Sequence, residues 1–172
     1  MDYFEFYGLP VSFNPDAAEV KKQFYALSKK YHPDFYINES AEKQDEVLEL
    51  STLNNKAYQV LNDPQKVLPY VLELKGLVTE GEHYTLPQDF LMEMMDVNEA
   101  LMDLQFDPDA EKLALQVAEI NRIEKGMQAD LDLLKQSYNT SGEADDLVKI
   151  KDLYYRTKYL YRIRESLAKI KS

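Results

Sequence analysis

Apolar residues return at intervals of three and four along most of this 172-residue chain. That spacing is the period of an α-helix with one buried face. Five glycines and seven prolines leave few points at which such a pattern can break. The chain therefore reads as all-α. Its length suits one sizeable domain or two small ones. Hydrophobic residues at 45% and charged residues at 30% are an ordinary globular balance, not the composition of a disordered chain.

Taken in order, residues 2–8 form a short helix anchored by Phe4, Tyr7 and Leu9 and stopped at Gly8-Leu9-Pro10. Asn14-Pro15 then reads as a cap and first helical residue, opening a helix over 14–31. Ala17, Val20, Phe24, Leu27 and Tyr31 make its core stripe. A second helix over 41–61 places Val47, Leu50, Asn54, Ala57 and Leu61 inward and packs antiparallel on the first. Asn62-Asp63-Pro64 ends it and starts another, over 64–75, with Leu68, Val71, Leu72 and Leu74 and a stop at Gly76. Pro69 inside that segment removes one intrahelical donor.

Residues 77–86 lack periodicity and mark a domain boundary. Beyond them a helix over 87–105 carries Phe90, Met94, Val97, Leu101 and Leu104. A longer one opens at Asp107-Pro108 and runs to about Tyr138, with Leu113, Val117, Ile120, Ile123, Met127, Leu131 and Leu134 inward. Asn139-Thr140-Ser141-Gly142 reads as a turn. The last helix, over 143–170, uses Leu147, Ile150, Leu153, Leu160 and Leu167 with a tyrosine cluster. Three long helices with short connections make an up-down-up bundle.

Between the first two long helices stands Tyr31-His32-Pro33-Asp34. Pro33 lacks an N–H and disfavours helical geometry at His32, so His32 and Asp34 are held on a solvent-facing tip. Lys21, Lys22, Tyr25, Lys29 and Lys30 lie off the core stripe of the helix leading to it. They make either a solvated face or a surface for an acidic partner. In the second half no lysine or arginine lies between Gly76 and Glu111, a stretch that with Glu111 holds ten carboxylates, so the helix from Pro87 has an acidic side as well as its core stripe. Leu91, Met92, Met95 and Met102 lie partly outside the core stripe there. They either widen the buried face or form an adaptable contact patch framed by acids.

Several function classes are disfavoured. A net charge of −11 opposes general nucleic-acid binding, which depends on neutralising phosphates. With no cysteine there is no disulfide framework, thiolate metal site or cysteine nucleophile, which fits a reducing cytoplasm. No basic n-region opens the chain and no apolar run approaches the ~20 residues of a membrane span, so neither a signal peptide nor a membrane is expected. His32 and Asp34 could form an acid–base pair or half a metal site, but the only other histidine, His83, is isolated. No nucleophile elbow, phosphate-binding glycine loop or paired-histidine spacing accompanies them. We expect no catalysis, no metal and no cofactor.

A short helix, a basic helix, a His-Pro-Asp loop and an antiparallel helix resemble a J domain, the module of DnaJ-type co-chaperones. The resemblance extends to Met1-Asp2-Tyr3-Phe4, Gly8-Leu9-Pro10, Asn54-Asn55-Lys56-Ala57-Tyr58, Leu61-Asn62-Asp63-Pro64 and Phe90-Leu91-Met92-Glu93. Together these are similar to the HscB-type iron–sulfur co-chaperones over essentially the whole chain. The resemblance implies a J domain over 1–76, a linker over 77–86 and a C-terminal three-helix oligomerisation and scaffold-binding domain over 87–172.

It also implies two partners. A DnaK/HscA-type ATPase chaperone would dock on His32, Pro33, Asp34, Lys21, Lys22, Tyr25, Lys29 and Lys30, and be stimulated to hydrolyse ATP. An IscU-type iron–sulfur scaffold would dock on Leu91, Met92, Met95, Asp96, Glu99, Asp103 and Tyr155. A J-like interaction scaffold without ATPase stimulation, or a general J-domain protein with another client, are the alternatives. Two departures stand out. An arginine usual in the family after the Asp-Pro stop is absent from Lys66-Val67-Leu68-Pro69-Tyr70, and no N-terminal cysteine module is present.

Overall fold

Asp2 accepts the Glu5 backbone N–H at 2.9 Å while the Glu5 carboxylate accepts the N–H of Asp2, so the first helix opens on a capping box. The structure, a computed structural model, describes residues 1–171. Ser172, the expected end of the second domain, lies outside the described residues. Helix α1 spans Tyr3–Tyr7 and closes on Gly8, whose φ of 66° is the left-handed geometry that favours glycine. Helix α2 follows at Ala17–Lys30, a 3₁₀ turn at Pro33–Tyr36, α3 at Ala41–Leu61 and α4 at Pro64–Leu74. Then come α5 at Gln88–Phe106, α6 at Ala110–Ser141 and α7 at Ala144–Lys171. Among the described residues there is no strand, so the fold is all-α. None of these helices is long and apolar enough to cross a membrane.

The chain divides into two units, Met1–Gly76 and the residues from Leu77 onward. In the first, Phe24 stacks on Tyr58 at 4.0 Å and Ser28 meets Asn54, so α2 and α3 run antiparallel. Phe4, Tyr7, Phe13, Val20, Val47, Ala57 and Leu61 are buried. Each large apolar side chain so removed from water contributes about 1.5–3 kcal/mol. Asn54, only 1% exposed, is the polar centre of this core. Its Oδ1 accepts the Tyr7 hydroxyl at 2.9 Å, and its Nδ2 donates to the Phe24 carbonyl at 3.1 Å and to Ser28 Oγ at 3.0 Å. One amide thus ties α1, α2 and α3 together, and burial pushes the Tyr7 phenol well above its usual range.

Removing that amide leaves buried groups unpaired at about 1–3 kcal/mol each. We expect Asn54→Leu to destabilise the first unit by about 2–3 kcal/mol. The check is its melting transition, where about 4–8 °C is lost per kcal/mol in a unit this small. An unchanged transition would show that the network is dispensable.

The structure departs from the sequence reading at several boundaries. Asp16, not Asn14, caps α2, accepting the N–H groups of Ala18 and Glu19 at 2.9 and 3.2 Å. Ala17 is consequently at the exposed start of the helix and not in the core stripe. In α4, Pro69 sits inside an unbroken helix. The Gln65 carbonyl that its missing N–H would have engaged belongs to an exposed residue, so water can satisfy it. Leu74 is exposed and Val67 takes the buried place expected of it. Tyr70 of α4 stacks on Tyr3 at 4.8 Å and accepts its backbone N–H at 2.9 Å.

In the second unit α5, α6 and α7 pack pairwise into a three-helix bundle. Phe90, Met94, Val97, Leu101 and Leu104 of α5 meet Ile120 and Ile123 of α6 and Leu160, Ile163 and Leu167 of α7. Arg164 joins α7 to Glu124 and Asn121, while Ser137 donates to Asp146 at 2.7 Å, so α6 and α7 are antiparallel. Asp109 rather than Asp107 caps α6. Residues 139–141 are its last turn, not a loop. The Thr140 and Ser141 hydroxyls donate to the Gln136 and Ser137 carbonyls, and Gly142, at φ 67°, ends the helix.

Candidate functional site

Pro33 stops α2 and opens the 3₁₀ turn, with His32 as its cap. His32 Nδ1 accepts the Asp34 backbone N–H at 3.2 Å. Tyr36 donates its hydroxyl to the Lys30 carbonyl at 2.8 Å, and Gln44 Nε2 donates to the Ile37 and Glu39 carbonyls, both at 3.1 Å. These bonds fix the loop from both helices, so its tip is held rather than loose. The His32 and Asp34 side chains are 54% and 80% exposed and 3.7 Å apart. An acid–base site needs a pocket that excludes water and a second set of polar groups. At this tip His32 and Asp34 are open to water, the cavity beside them is lined by Pro33, Tyr36, Gln44, Asp45, Val47 and Leu48, and His83 belongs to the other unit. Among the described residues no three His, Cys, Asp or Glu side chains converge as metal ligands.

Lys21, Lys22, Tyr25, Lys29 and Lys30 are all exposed on α2. None of the four lysines has a carboxylate within 4.0 Å among the described residues. In a chain with 31 acidic residues, four lysines without a carboxylate partner on the helix leading to the tip, Lys30 lying 5.2 Å from the Tyr31 ring centroid, present a local positive field. Three apolar side chains near the tip, Phe35, Ile37 and Leu48, are also exposed.

On the second unit the structure rules out a core place for the methionines. Met92, Met95 and Met102 are 60%, 64% and 59% exposed, so they do not widen the core. They form an apolar ridge on α5, with Leu91 half-buried at one end and Phe106, not anticipated, fully outside at the other. Asp96, Glu99 and Asp103 are exposed along the same helix. Leu91 shares a groove with Tyr155, so two sequence candidates 64 positions apart meet here.

The segment expected as a linker is pinned to α7. Glu82 accepts from Lys151 Nζ at 2.7 Å and from the Tyr155 hydroxyl at 2.9 Å. Tyr84 donates to Asp152 at 2.7 Å and stacks on Tyr155 at 4.5 Å. Burial, followed by the Glu82 bond, pushes the Tyr155 phenol up to about 12. The bonds from Lys151 and Tyr155 hold the Glu82 carboxyl below its usual value of 4.5. Because the folded value is the lower one, this contact stabilises the segment fully above about pH 4.5 and loses that effect as the pH falls through the folded value. We therefore expect the protection of the residue 82–86 amides, taken relative to their intrinsic exchange rate at each pH, to fall on acidification below about 4.5, and Glu82→Gln to remove that pH dependence. A pH profile identical in both proteins would contradict the contact.

An exposed His-Pro-Asp turn between a lysine-faced helix and its antiparallel partner defines the first unit as a J domain. Consistently, residues 2–70 match the DnaJ domain model and residues 86–168 match the HSCB C-terminal oligomerisation domain. The co-chaperone protein HscB homolog of Vibrio cholerae is 30% identical over 97% of this chain and 99% of its own. The iron-sulfur cluster co-chaperone protein HscB of Mus musculus is 29% identical over 96% of this chain and 67% of its own. Among solved structures, chaperone HscB from Vibrio cholerae superposes with a TM-score of 0.70 at 25% identity, covering 99% of this chain and 98% of that one. Human co-chaperone protein HscB gives 0.69 at 28% identity, over 98% and 81%. The chain belongs to the HscB family of J-domain co-chaperones.

Proposed function

We propose that this chain is an adaptor that brings an IscU-type iron–sulfur scaffold protein to a DnaK/HscA-type chaperone and triggers the chaperone's ATP hydrolysis, in the cytoplasm. In this reading residues 1–76 face the chaperone, residues 87–172 face the scaffold and residues 77–86 connect them. The observation that carries it is the pairing, in one chain, of an exposed His-Pro-Asp tip, beside lysines with no carboxylate partner, with a separate exposed apolar ridge edged by acids. The names of the relatives, co-chaperones and an iron-sulfur cluster co-chaperone among them, support the same assignment.

The division of labour follows from chemistry. Lys21, Lys22, Lys29 and Lys30, with Tyr25, steer an acidic surface of the chaperone onto α2 and speed encounter. Asp34, exposed and rigidly placed, accepts charge-assisted hydrogen bonds from a partner arginine. His32 and Pro33 shape the turn that presents it. The reaction itself belongs to the chaperone, so the adaptor is not the enzyme. On the other unit Leu91, Met92, Met95 and Tyr155 supply apolar contact, and Asp96, Glu99 and Asp103 select a partner with basic residues around its own apolar patch.

The test is steady-state ATP turnover by the host's DnaK-type chaperone with and without this protein. Stimulation that saturates with protein concentration is expected. No stimulation of any DnaK-type chaperone in the host would reject the reading.

A further inference from the structure

Of the groove beside Leu91, the adaptor reading uses only Leu91 and Tyr155 and leaves the rest unassigned. The groove has a volume of about 430 Å³ and is built entirely within the second unit. Leu86, Leu91, Tyr155 and Tyr159 give it an apolar and aromatic lining. Tyr155 cannot swing away, because its hydroxyl is bonded to Glu82 and its ring is stacked on Tyr84. The groove is therefore preformed, as binding clefts are.

Its rim has the opposite charge to α5. Lys158 and Arg162 line it, both exposed and one helical turn apart on α7. Neither has a carboxylate within 4.0 Å among the described residues. Like charges four residues apart on a helix repel, so this pair is unfavourable unless an anion joins it. Lys158 Nζ also lies 5.4 and 5.6 Å from the Tyr154 and Tyr155 ring centroids, which holds its charge over the aromatic floor. On α5 the helical period orders the exposed surface. The edge bearing Leu91 faces α7, Met102, Met95 and Phe106 come next, and Glu99, Asp103 and Asp96 lie further round with Met92 among them. An apolar ridge thus runs between an acidic edge and a groove whose rim is cationic at Lys158 and Arg162, the lining carboxylate Glu82 being bonded to Lys151.

Resting on the adaptor reading, we infer that this groove receives an acidic segment of the scaffold protein, placing a carboxylate at Lys158 and Arg162 and an apolar side chain against Leu91, Tyr155 and Tyr159. The footprint is then bipolar. A basic strip of the scaffold meets Glu99, Asp103 and Asp96 while an acidic segment meets α7. Charge complementarity of opposite sign on the two sides of one ridge admits a single orientation, because the reversed pose sets like charges against each other on both sides.

The experiment is calorimetric titration of the host's IscU-type scaffold into the full chain, its K158E/R162E variant, its K158Q/R162Q variant and a Leu91→Ala, Met92→Ala, Met95→Ala variant. Both rim residues are exposed, and circular dichroism checks that the variants fold; should the charge reversal unfold the bundle, the glutamine variant decides. We expect charge reversal to weaken binding roughly tenfold or more at low salt, glutamine to weaken it less, and the gap from the parent to narrow in high salt. Unchanged affinity in both rim variants, with the alanine variant weakened, would overturn the groove assignment and leave the adaptor reading standing. No binding by the parent chain, or no loss in any variant, would overturn both.

Discussion

His32→Gln is expected to abolish stimulation of the chaperone's ATPase while leaving the protein folded. The side chain is half in water and takes part in no core contact. Its one internal bond accepts the Asp34 N–H, a cap on a four-residue turn. Loss of a cap costs about 0.5–2 kcal/mol at most, and an exposed substitution usually less than about 0.5 kcal/mol. Meanwhile the other bonds that hold the loop, from Tyr36 and Gln44, do not involve His32. Stability should therefore fall by less than about 1 kcal/mol. ATP turnover should fall to the rate of the chaperone alone, and helicity should be unchanged. A His32→Gln protein that melts far lower would instead make the tip a structural element, and the recognition role assigned to it would fail.

The second large effect is expected on the other unit. Replacing Leu91, Met92 and Met95 together with alanine removes three apolar side chains from the first half of α5, one of them in the groove. Residues at the centre of an interface commonly cost more than about 1 kcal/mol each on truncation. Three of them amount to about 3 kcal/mol, or roughly a hundredfold in affinity for the scaffold. Folding should survive, because Met92 and Met95 are mostly in water and the bundle core is carried by Phe90, Met94, Val97, Leu101 and Leu104. Stimulation of the chaperone without scaffold should also survive, since the J domain is untouched. Scaffold affinity unchanged by the triple substitution would reject the ridge as the docking face.

Much of this architecture is legible in the residues. Helical period sets α3 at its observed limits, and Pro33 dictates an exposed tip because it cannot continue α2. Local rules failed where two of them competed. Asn14-Pro15 and Asp16 both offer a start for α2, and only the geometry shows that Asp16 takes the amides. Asn139-Thr140-Ser141 has turn composition, yet the hydroxyls bond back to the preceding turn and Gly142 alone does the stopping. Phe13, buried to 1% exposure, stands in an irregular stretch with no periodicity to betray it.

The features hardest to read were long-range. Glu82 and Tyr84 look like linker residues because their partners, Lys151, Asp152 and Tyr155, come about 70 positions later. The groove with its cationic rim is invisible for the same reason. Lys158 and Arg162 are two ordinary surface residues until the fold sets Leu91 beside them. Spacing alone also could not separate a wide core from an exposed ridge at Met92, Met95 and Met102. That required knowing where α6 and α7 lie around α5.

The central claim is that one chain couples two partners through two independent surfaces. Its most direct test is ATP turnover by the chaperone at a sub-saturating concentration of this protein, with and without the scaffold. The account predicts that scaffold and adaptor together raise turnover beyond the sum of their separate effects. It predicts further that the Leu91, Met92 and Met95 alanine variant loses only that extra increment, while His32→Gln loses all stimulation. Purely additive effects, or an increment that persists in the alanine variant, would contradict it.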